Sequence, residues 1–322
     1  MRYLVTGGAG FIGSHLTEAL LKRGDEIIVL DDFSTGSVSN LEKQKNNPKL
    51  KTVSGSILDK AMIKSLLKDS DGCFHMAAAV GVEKILRDPI GSIKTNIHGT
   101  ENVLDLCAEI NVPVLLASTS EIYGKNSSGL LNEESDRIIG SPLLSRWTYA
   151  EAKALDESYA KALHDMKDLN VKIIRYFNTV GPRQSSAYGM VIPTFFKAAL
   201  ANRPITIHGD GSQQRIFCHV NDAIAGTILL WDASGGDGEA FNLGGLEEIT
   251  ILDLAKRIIE LTNSNSEVQF IPYSELRVRG FEDMSRRLPD STKIKKMTGW
   301  QATADLENIL GDYFTFVREQ WN

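Results

Sequence analysis

Tyr3-Leu4-Val5-Thr6-Gly7-Gly8-Ala9-Gly10-Phe11-Ile12-Gly13 opens the chain as a short apolar strand pattern that breaks into glycines at positions 7, 10 and 13. A helical pattern, Ile12–Lys22, begins at once. Small residues at that spacing let the backbone turn sharply off a strand. They also let N–H groups at a helix N-terminus approach a pyrophosphate. A second strand pattern, Glu26–Leu30, ends in Asp31-Asp32, 18 residues after Gly13. A carboxylate at that point accepts hydrogen bonds from adenosine ribose hydroxyls and repels a 2′-phosphate, so the expected cofactor is NAD rather than NADP.

The same alternation continues outward. Strand patterns at Leu50–Ser54, Gly72–Met76, Val114–Ala117 and Val171–Tyr176 are separated by helical patterns such as Lys60–Leu67 and Ile93–Ala108. This implies crossover connections and an α/β fold, a Rossmann-type doubly wound parallel sheet with ligands at the carboxyl ends of its strands. The second half is less regular. Gly181 to Gly211 reads as loops around a helix, Ile192–Ala201, and Phe217–Trp231 as a short strand and a helix. Ala240–Leu243 reads as a strand, and Ile251–Leu261 as a helix opened by Thr250. Arg286–Gly299 and Asp305–Glu319 read as a terminal helical lobe. The expected division is a cofactor domain over residues 1–180, its sheet completed by about 215–248. Residues 181–214 and 249–322 form a smaller C-terminal substrate-binding lobe.

With 322 residues and 42% hydrophobic content the chain is an ordinary globular protein of one large unit or two lobes. A net charge of −6 and the lack of a long Lys/Arg block disfavour nucleic acid. No apolar run approaches the roughly 20 residues of a membrane span. Met1-Arg2 runs straight into the first strand pattern, so no signal peptide is expected. Cys73, Cys107 and Cys218 are odd in number and lack metal-ligand spacing, so buried thiols, no metal and a cytoplasmic location are expected.

Tyr149-Ala-Glu-Ala-Lys153 places a phenol and an ammonium at i, i+4, on one helix face. A nearby ammonium and a positive nicotinamide ring both favour phenolate, so Tyr149 is expected to act as a base towards a substrate hydroxyl. Lys153 would also hydrogen-bond the nicotinamide ribose. His75, in an apolar strand pattern, reads as a packed histidine. A non-catalytic dinucleotide-binding sensor would typically lose Tyr149 and Lys153, and both are present.

The set GGAGFIG from Gly7, LDDFSTG from Leu30, HMAAA from His75, TNIHGT from Thr95, ASTSEIYG from Ala117, YAEAK from Tyr149, RYFNTVGPR from Arg175, GDGSQQRIFCHVND from Gly209 and FNLGG from Phe241 resembles the extended short-chain dehydrogenase/reductases that act on nucleotide sugars. The resemblance covers nearly the whole length. It implies that Gly7, Gly10, Phe11, Ile12 and Gly13 cradle the pyrophosphate and that Asp31 and Asp32 meet the adenosine ribose. Ser56 and Ile57 would meet the adenine, where relatives often carry an acidic residue at position 56, and Ala77 would line the cofactor. Thr119 or Ser120 would bond the C4 hydroxyl, with Tyr149 and Lys153 as the catalytic pair. Asn178 and Arg215 would hold the diphosphate of a nucleotide sugar, a UDP-sugar being favoured, and Asp222 would stabilise the fold. Relatives commonly dimerise through two helices, here Ile93–Ala108 and Tyr149–Leu163, with Leu104, Ala108, Ala152 and Leu155 equally compatible with an internal core.

Shared chemistry in such enzymes is oxidation at C4 to a 4-keto sugar. Return of hydride to the other face gives a 4-epimer and needs no further base. Removal of C5–H allows water loss from C6 and needs a carboxylate base. A C6 carboxylate, being β to the ketone, can leave as CO₂. Thr119-Ser120-Glu121 resembles the 4,6-dehydratases and UDP-glucuronate decarboxylases, so Glu121 is expected to take part after oxidation, with the raised pKa that burial gives a general acid/base. Ser145-Arg146-Trp147-Thr148-Tyr149 and the segment Gly280–Pro289 are similar to UDP-glucuronate decarboxylases of the lipid A modification type and to plant apiose/xylose synthases. In that reading Arg287 meets the substrate's carboxylate; an equally good one puts it on the diphosphate. A 4-epimerase with Glu121 as a spectator stands as the alternative.

Overall fold

The structure is a computed structural model that describes residues 1–81, 88–186, 190–275 and 284–321. Part of the loop region expected at Gly181–Gly211 (residues 187–189) and part of the late segment (residues 280–283) lie outside the described residues. In chain order the strands are β1 Arg2–Thr6, β2 Glu26–Asp31, β3 Leu50–Ser54, β4 Gly72–His75, β5 Val114–Thr119, β6 Leu130–Leu131, β7 Val171–Tyr176 and β8 Thr179–Val180. They continue as β9 Ile205–His208, β10 Gln214–Ile216, β11 Cys218–His219, β12 Ala240–Leu243, β13 Glu248–Thr250, β14 Val268–Ile271 and β15 Arg286–Pro289.

Seven of them form one sheet in the order β3-β2-β1-β4-β5-β7-β12, every pair parallel. The strands read as continuous apolar runs because both faces are covered. Alternate side chains leave β1 and β2 on opposite faces. Tyr3, Val5, Ile27 and Val29 join one core, with Leu16 and Leu20 of helix Phe11–Arg23. Leu4, Ile28 and Leu30 join another, with Ile63, Val103, Leu104 and Leu163. The chain reverses its winding between β1 and β4, so a crevice opens at the carboxyl ends of β1, β4 and β5.

A third core lies apart from the sheet. It packs Phe195, Phe196, Ile207, Phe217, Leu254 and Ile258 against Leu306, Leu310 and Tyr313. Within the stretch expected to belong wholly to the lobe, Ile294, Trp300 and Ala302 instead pack into the first core. The expected terminal helix also needs correction. Arg286–Pro289 is a strand whose partners are Gln214 and Arg215 of β10 and Leu130 and Leu131 of β6, and helix begins only at Thr292. Pairing between positions so far apart in the chain decided the conformation over local pattern. The strand also belongs to a small second sheet, β13-β10-β15-β6, so β10 and β13 do not extend the main one. The expected helix Ile93–Ala108 is divided into Pro89–Lys94, one π turn at Thr95–Gly99, and Thr100–Ile110.

Two buried charges join the parts. Lys172 on β7 donates to the Leu230 carbonyl (3.0 Å) and to the Ala233 carbonyl, satisfying the C-terminus of helix Val220–Asp232. At the other end of that helix, Asp222 accepts from Thr303 N (2.9 Å), Ala304 N (2.9 Å) and Thr303 Oγ1 (2.8 Å). Asp222 is therefore a fold-stabilising residue. Asp222→Ala leaves three donors unpaired and is expected to lower stability by roughly 3 kcal/mol, read as a lower urea midpoint at unchanged slope.

Candidate functional site

The crevice at the strand ends is a cleft of about 410 Å³. That lies within the range of about 300–1,000 Å³ usual for small-molecule sites. At its base, Gly7 has φ +67° and its backbone abuts β4's end, where a Cβ would stand 2.7 Å from Ala77 Cα. A Cβ on Gly13 would stand 2.1 Å from the Gly7 carbonyl oxygen. Gly10 caps helix Phe11–Arg23 without a side-chain hydrogen bond, so the first N–H groups face the cleft. The Asp31 carboxylate is locked at the end of β2 by Ala9 N (2.9 Å) and Phe33 N (2.8 Å). This cradle, with a fixed anion beside it, fits the pyrophosphate and adenosine ribose of NAD.

Phe11, Ile12, Asp32, Ile57 and Ala77 line the same cleft. Ser56 does not. Its hydroxyl turns to its own loop and accepts from Leu58 N at 3.2 Å. His75 is buried between Thr6 Oγ1 (2.7 Å) and Thr100 Oγ1 (3.1 Å), and burial lowers its pKa to about 3, so it is a neutral packed ring.

Further along, β5 delivers Thr119 and Ser120 to the cleft, and a single turn carries Glu121 beside them. Helix Thr148–Lys167 starts at the cleft wall with Tyr149 in its first turn and Lys153 one turn deeper. Glu121 is largely buried between two guanidinium groups. Arg287 Nη1 donates to Oε1, and Arg146 Nη1 lies 2.6 Å from Oε2. Burial pushes the carboxyl up, but Arg287 and Arg146 outweigh it and hold Glu121 well below the usual carboxylate range. The expected raised pKa is corrected: Glu121 is an anion clamped by cations, unsuited to carrying a proton.

The charge of Lys153 is shared with a carboxylate on its own helix. Lys153 Nζ pairs with Asp156 at 3.2 Å, both side chains fully enclosed. Burial, and then the charges of Glu121 and Asp156, push the Tyr149 phenol up rather than down. Asn178, with φ +37°, spends its carbonyl on Arg287 Nη2 (2.9 Å) and one amide hydrogen on the Ile216 carbonyl (2.7 Å). It lines the cleft while steadying Arg287. Arg215 stands beside Arg287 across the β10–β15 pair, but it is absent from the cleft wall and its Nη1 donates to the Gln214 carbonyl (2.8 Å).

Three charged groups were not foreseen as site residues. Arg146 packs its guanidinium on buried Trp147, 5.2 Å from the ring centroid, and its place just before the Tyr149 helix was the available signal. Arg183, at φ +70°, lines the cleft while paired with Glu18 and within 3.3 Å of Ser14 Oγ. Asp156 stands three residues after Lys153, a helical spacing that could have flagged it.

The GDP-mannose 4,6 dehydratase family model matches residues 4–313. The chain belongs to this family of NAD-dependent nucleotide-sugar enzymes. It is 38% identical over 319 residues to the UDP-N-acetyl-alpha-D-glucosaminuronate decarboxylase of Bacillus cytotoxicus, covering 99% of this chain and 98% of the relative. The crystal structure of UDP-glucuronic acid 4-epimerase from Bacillus cereus, in complex with UDP-glucuronic acid and NAD, matches with a TM-score of 0.90 at 28% identity, over 99% of this chain and 100% of that one. The dTDP-glucose 4,6-dehydratase of Streptomyces venezuelae with NAD bound matches with a TM-score of 0.90 at 30% identity, over 100% and 98%. Among the described residues no helix is long and apolar enough to cross a membrane.

The clamped carboxylate has a measurable consequence. Because the folded-state pKa of Glu121 lies below its ordinary 4.5, the unfolded chain binds more protons there in acid. The ion-pair contribution is complete above that value and is lost as pH falls below it. Glu121→Gln is expected to cost about 3–5 kcal/mol near neutral pH by leaving two guanidinium groups uncompensated. Urea unfolding of both proteins should show the gap narrowing below pH 4.5.

Proposed function

We propose that this enzyme decarboxylates a UDP-linked hexuronate through a transient 4-keto intermediate. One observation carries the reading: at the sugar end of the cleft, two guanidinium groups face a single ionised carboxylate. Arg287 and Arg146 together outweigh Glu121 by one positive charge, which suits a substrate carboxylate at C6. Arg287 Nε is also buried without a hydrogen-bond partner among the described residues, a donor left over for such a group. Water loss from C6 would need a base at C5, and a carboxylate held this far down is a poor one. Decarboxylation needs none. The similarity to the Bacillus cytotoxicus decarboxylase points the same way.

NAD, held by the Gly7, Gly10 and Gly13 turn and by Asp31, would supply hydride exchange at C4 and, when oxidised, a positive charge. Tyr149, once it has released its phenolic proton to solvent in the presence of that positive charge, takes the C4 hydroxyl proton, and Thr119 or Ser120 holds the C4 oxygen. With the ketone in place, the C5–C6 bond breaks and CO₂ leaves. The electron pair passes to C5 and the C4 oxygen, and C5 then bonds one proton taken up from solvent. Tyr149 returns its proton as C4 is reduced. Glu121 is the anchor of the arginine pair in this scheme. By taking up part of their charge it also weakens their grip on the substrate carboxylate, so CO₂ formation does not have to break a full ion pair.

Mass spectrometry of products from UDP-glucuronate, UDP-N-acetylglucosaminuronate and dTDP-glucose tests the proposal. Loss of CO₂ from a uronate is expected. Loss of water would establish a dehydratase. No mass change, with an epimer found by NMR, would establish the second reading, which the match to the Bacillus cereus uronate epimerase favours. Glu121→Gln should lower turnover about 100-fold through misplaced arginines; full turnover would defeat any role for Glu121.

The enzyme is further proposed to be a homodimer through the expected helices Ile93–Ala108 and Tyr149–Leu163, which correspond to Pro89–Lys94 with Thr100–Ile110 and to Thr148–Lys167. Leu104 and Ala152 are buried in the protein's own interior, but Leu155 (53%) and Ile90 (67%) are exposed there. Sedimentation at micromolar concentration should give a dimer, and a monomer would reject it. Three buried, unpaired cysteines suit a reducing compartment such as the cytoplasm.

A further inference from the structure

Beneath the Tyr149–Lys153 pair runs a buried polar chain that the reaction scheme does not use. Lys153 Nζ meets the Asp156 carboxylate at 3.2 Å, with side-chain exposures of 2% and 3%. Asp156 is held in turn by the Thr100 hydroxyl from the neighbouring helix. Thr100 Oγ1 bonds His75 Nε2 at 3.1 Å, and His75 Nδ1 bonds Thr6 Oγ1 at 2.7 Å. The chain thus spans from the helix bearing Tyr149 to the first strand without reaching the surface. A lone buried ammonium one helical turn from a phenol would draw the proton off that phenol. A carboxylate at 3.2 Å cancels most of that field, because both charges sit in the same low-dielectric interior.

We infer that Asp156 is a positioning residue for the Tyr149–Lys153 pair: it fixes the Lys153 ammonium and offsets its charge, so that Tyr149 keeps its proton until other positive charge reaches the site. The inference rests on reading Tyr149 and Lys153 as the pair at the reacting carbon. Other groups bear on it too. Glu157, on the same helix, faces Asp156 and is itself paired with Arg175 of β7 (2.7 Å), while Glu121 faces Tyr149 from the turn after β5. Only Asp156 touches Lys153 among these. Burial first, and then Glu157, push the Asp156 carboxyl up to about 6 against the opposing pull of Lys153 and Thr100, so its charge changes within an ordinary working pH range. His75, lowered to about 3, stays neutral throughout and serves the chain as a fixed hydrogen-bonding link.

The test is an NMR titration of NAD-loaded protein carrying ¹³Cζ-labelled tyrosine, with the Tyr149 signal assigned by its loss in Tyr149→Phe. Asp156→Asn keeps the shape and an acceptor for Thr100 but removes the charge. The Tyr149 midpoint should fall by about one pH unit or more, and an unchanged midpoint overturns the inference. Should Asp156→Asn fail to fold, the wild-type signal decides. It should carry a second inflection near pH 6, where Asp156 gains its charge, and a flat response there overturns the inference equally. No sugar nucleotide is used, so the result is independent of which product the enzyme makes. A Tyr149 signal indifferent to NAD loading would remove the pair itself, and this inference with it.

Discussion

Glu121 is the point through which distant parts of the chain are tied. It follows β5 of the main sheet, Arg146 immediately precedes the helix bearing Tyr149, and Arg287 lies on β15, which pairs with β10 of the second sheet. A buried carboxylate between two guanidinium groups is not a strong source of net stability, because desolvating three charges offsets much of their attraction. Its effect is on placement. Neither arginine can move away without exposing an uncompensated charge, so the end of the sheet, the start of the helix and the C-terminal strand are held in one arrangement. Asn178 extends the tie, its amide oxygen accepting from Arg287 and its amide nitrogen donating to the Ile216 carbonyl of β10.

The helix Thr148–Lys167 is fixed by the same kind of interaction at greater depth. Tyr149, Lys153, Asp156 and Glu157 recur at i, i+4, i+7 and i+8, the spacing of one inward face. Where an ordinary helix would bury leucines, this one turns a polar stripe inward, in which Lys153 pairs with Asp156 and Glu157 has partners of its own. Glu157 accepts from Ser118 Oγ on β5 and from Arg175 on β7. Arg175 also reaches Tyr123 Oη at 2.8 Å, and Tyr123 donates to Asn242 of β12 at 2.7 Å. Ala160 and Leu163 complete the face with ordinary apolar packing. The helix is therefore registered against three strands of the sheet by directional bonds, which specify position more narrowly than apolar contact does.

What could be read from the sequence divides along the same line. The glycine turn, Asp31, and the Tyr149–Lys153 spacing are local: each is set by residues within a few positions, and the structure brings all of them to one cleft. The parallel strands were legible because burial on both faces leaves continuous apolar runs. Arg286–Pro289 was misread because its strand exists only by pairing with β10 and β6, more than 70 residues away. The pKa of Glu121 was misread for a related reason. Burial alone raises a carboxyl, and the sequence does not show that Arg287, 166 residues on, shares its pocket. At short range Asp156 was legible in principle, because it shares a helix face with Tyr149 and Lys153 and pairs with Lys153 three residues away.

The two buried charge clusters form a single electrostatic scheme. Lys153 with Asp156 is close to neutral, and Arg146 and Arg287 with Glu121 carry one net positive charge. Under the proposed decarboxylation, a uronate entering the cleft would bring one negative charge at C6 and balance the sugar end. On loss of CO₂ that charge would pass from the C6 carboxylate to the C4 oxygen and stay in the same cleft. The protein would then have no new charge to solvate while the bond breaks, which is the condition under which fixed dipoles and ions stabilise a transition state most effectively. A neutral hexose in the same position would leave the arginine pair's excess charge unbalanced from the outset, so the field that suits decarboxylation also selects for the substrate that undergoes it.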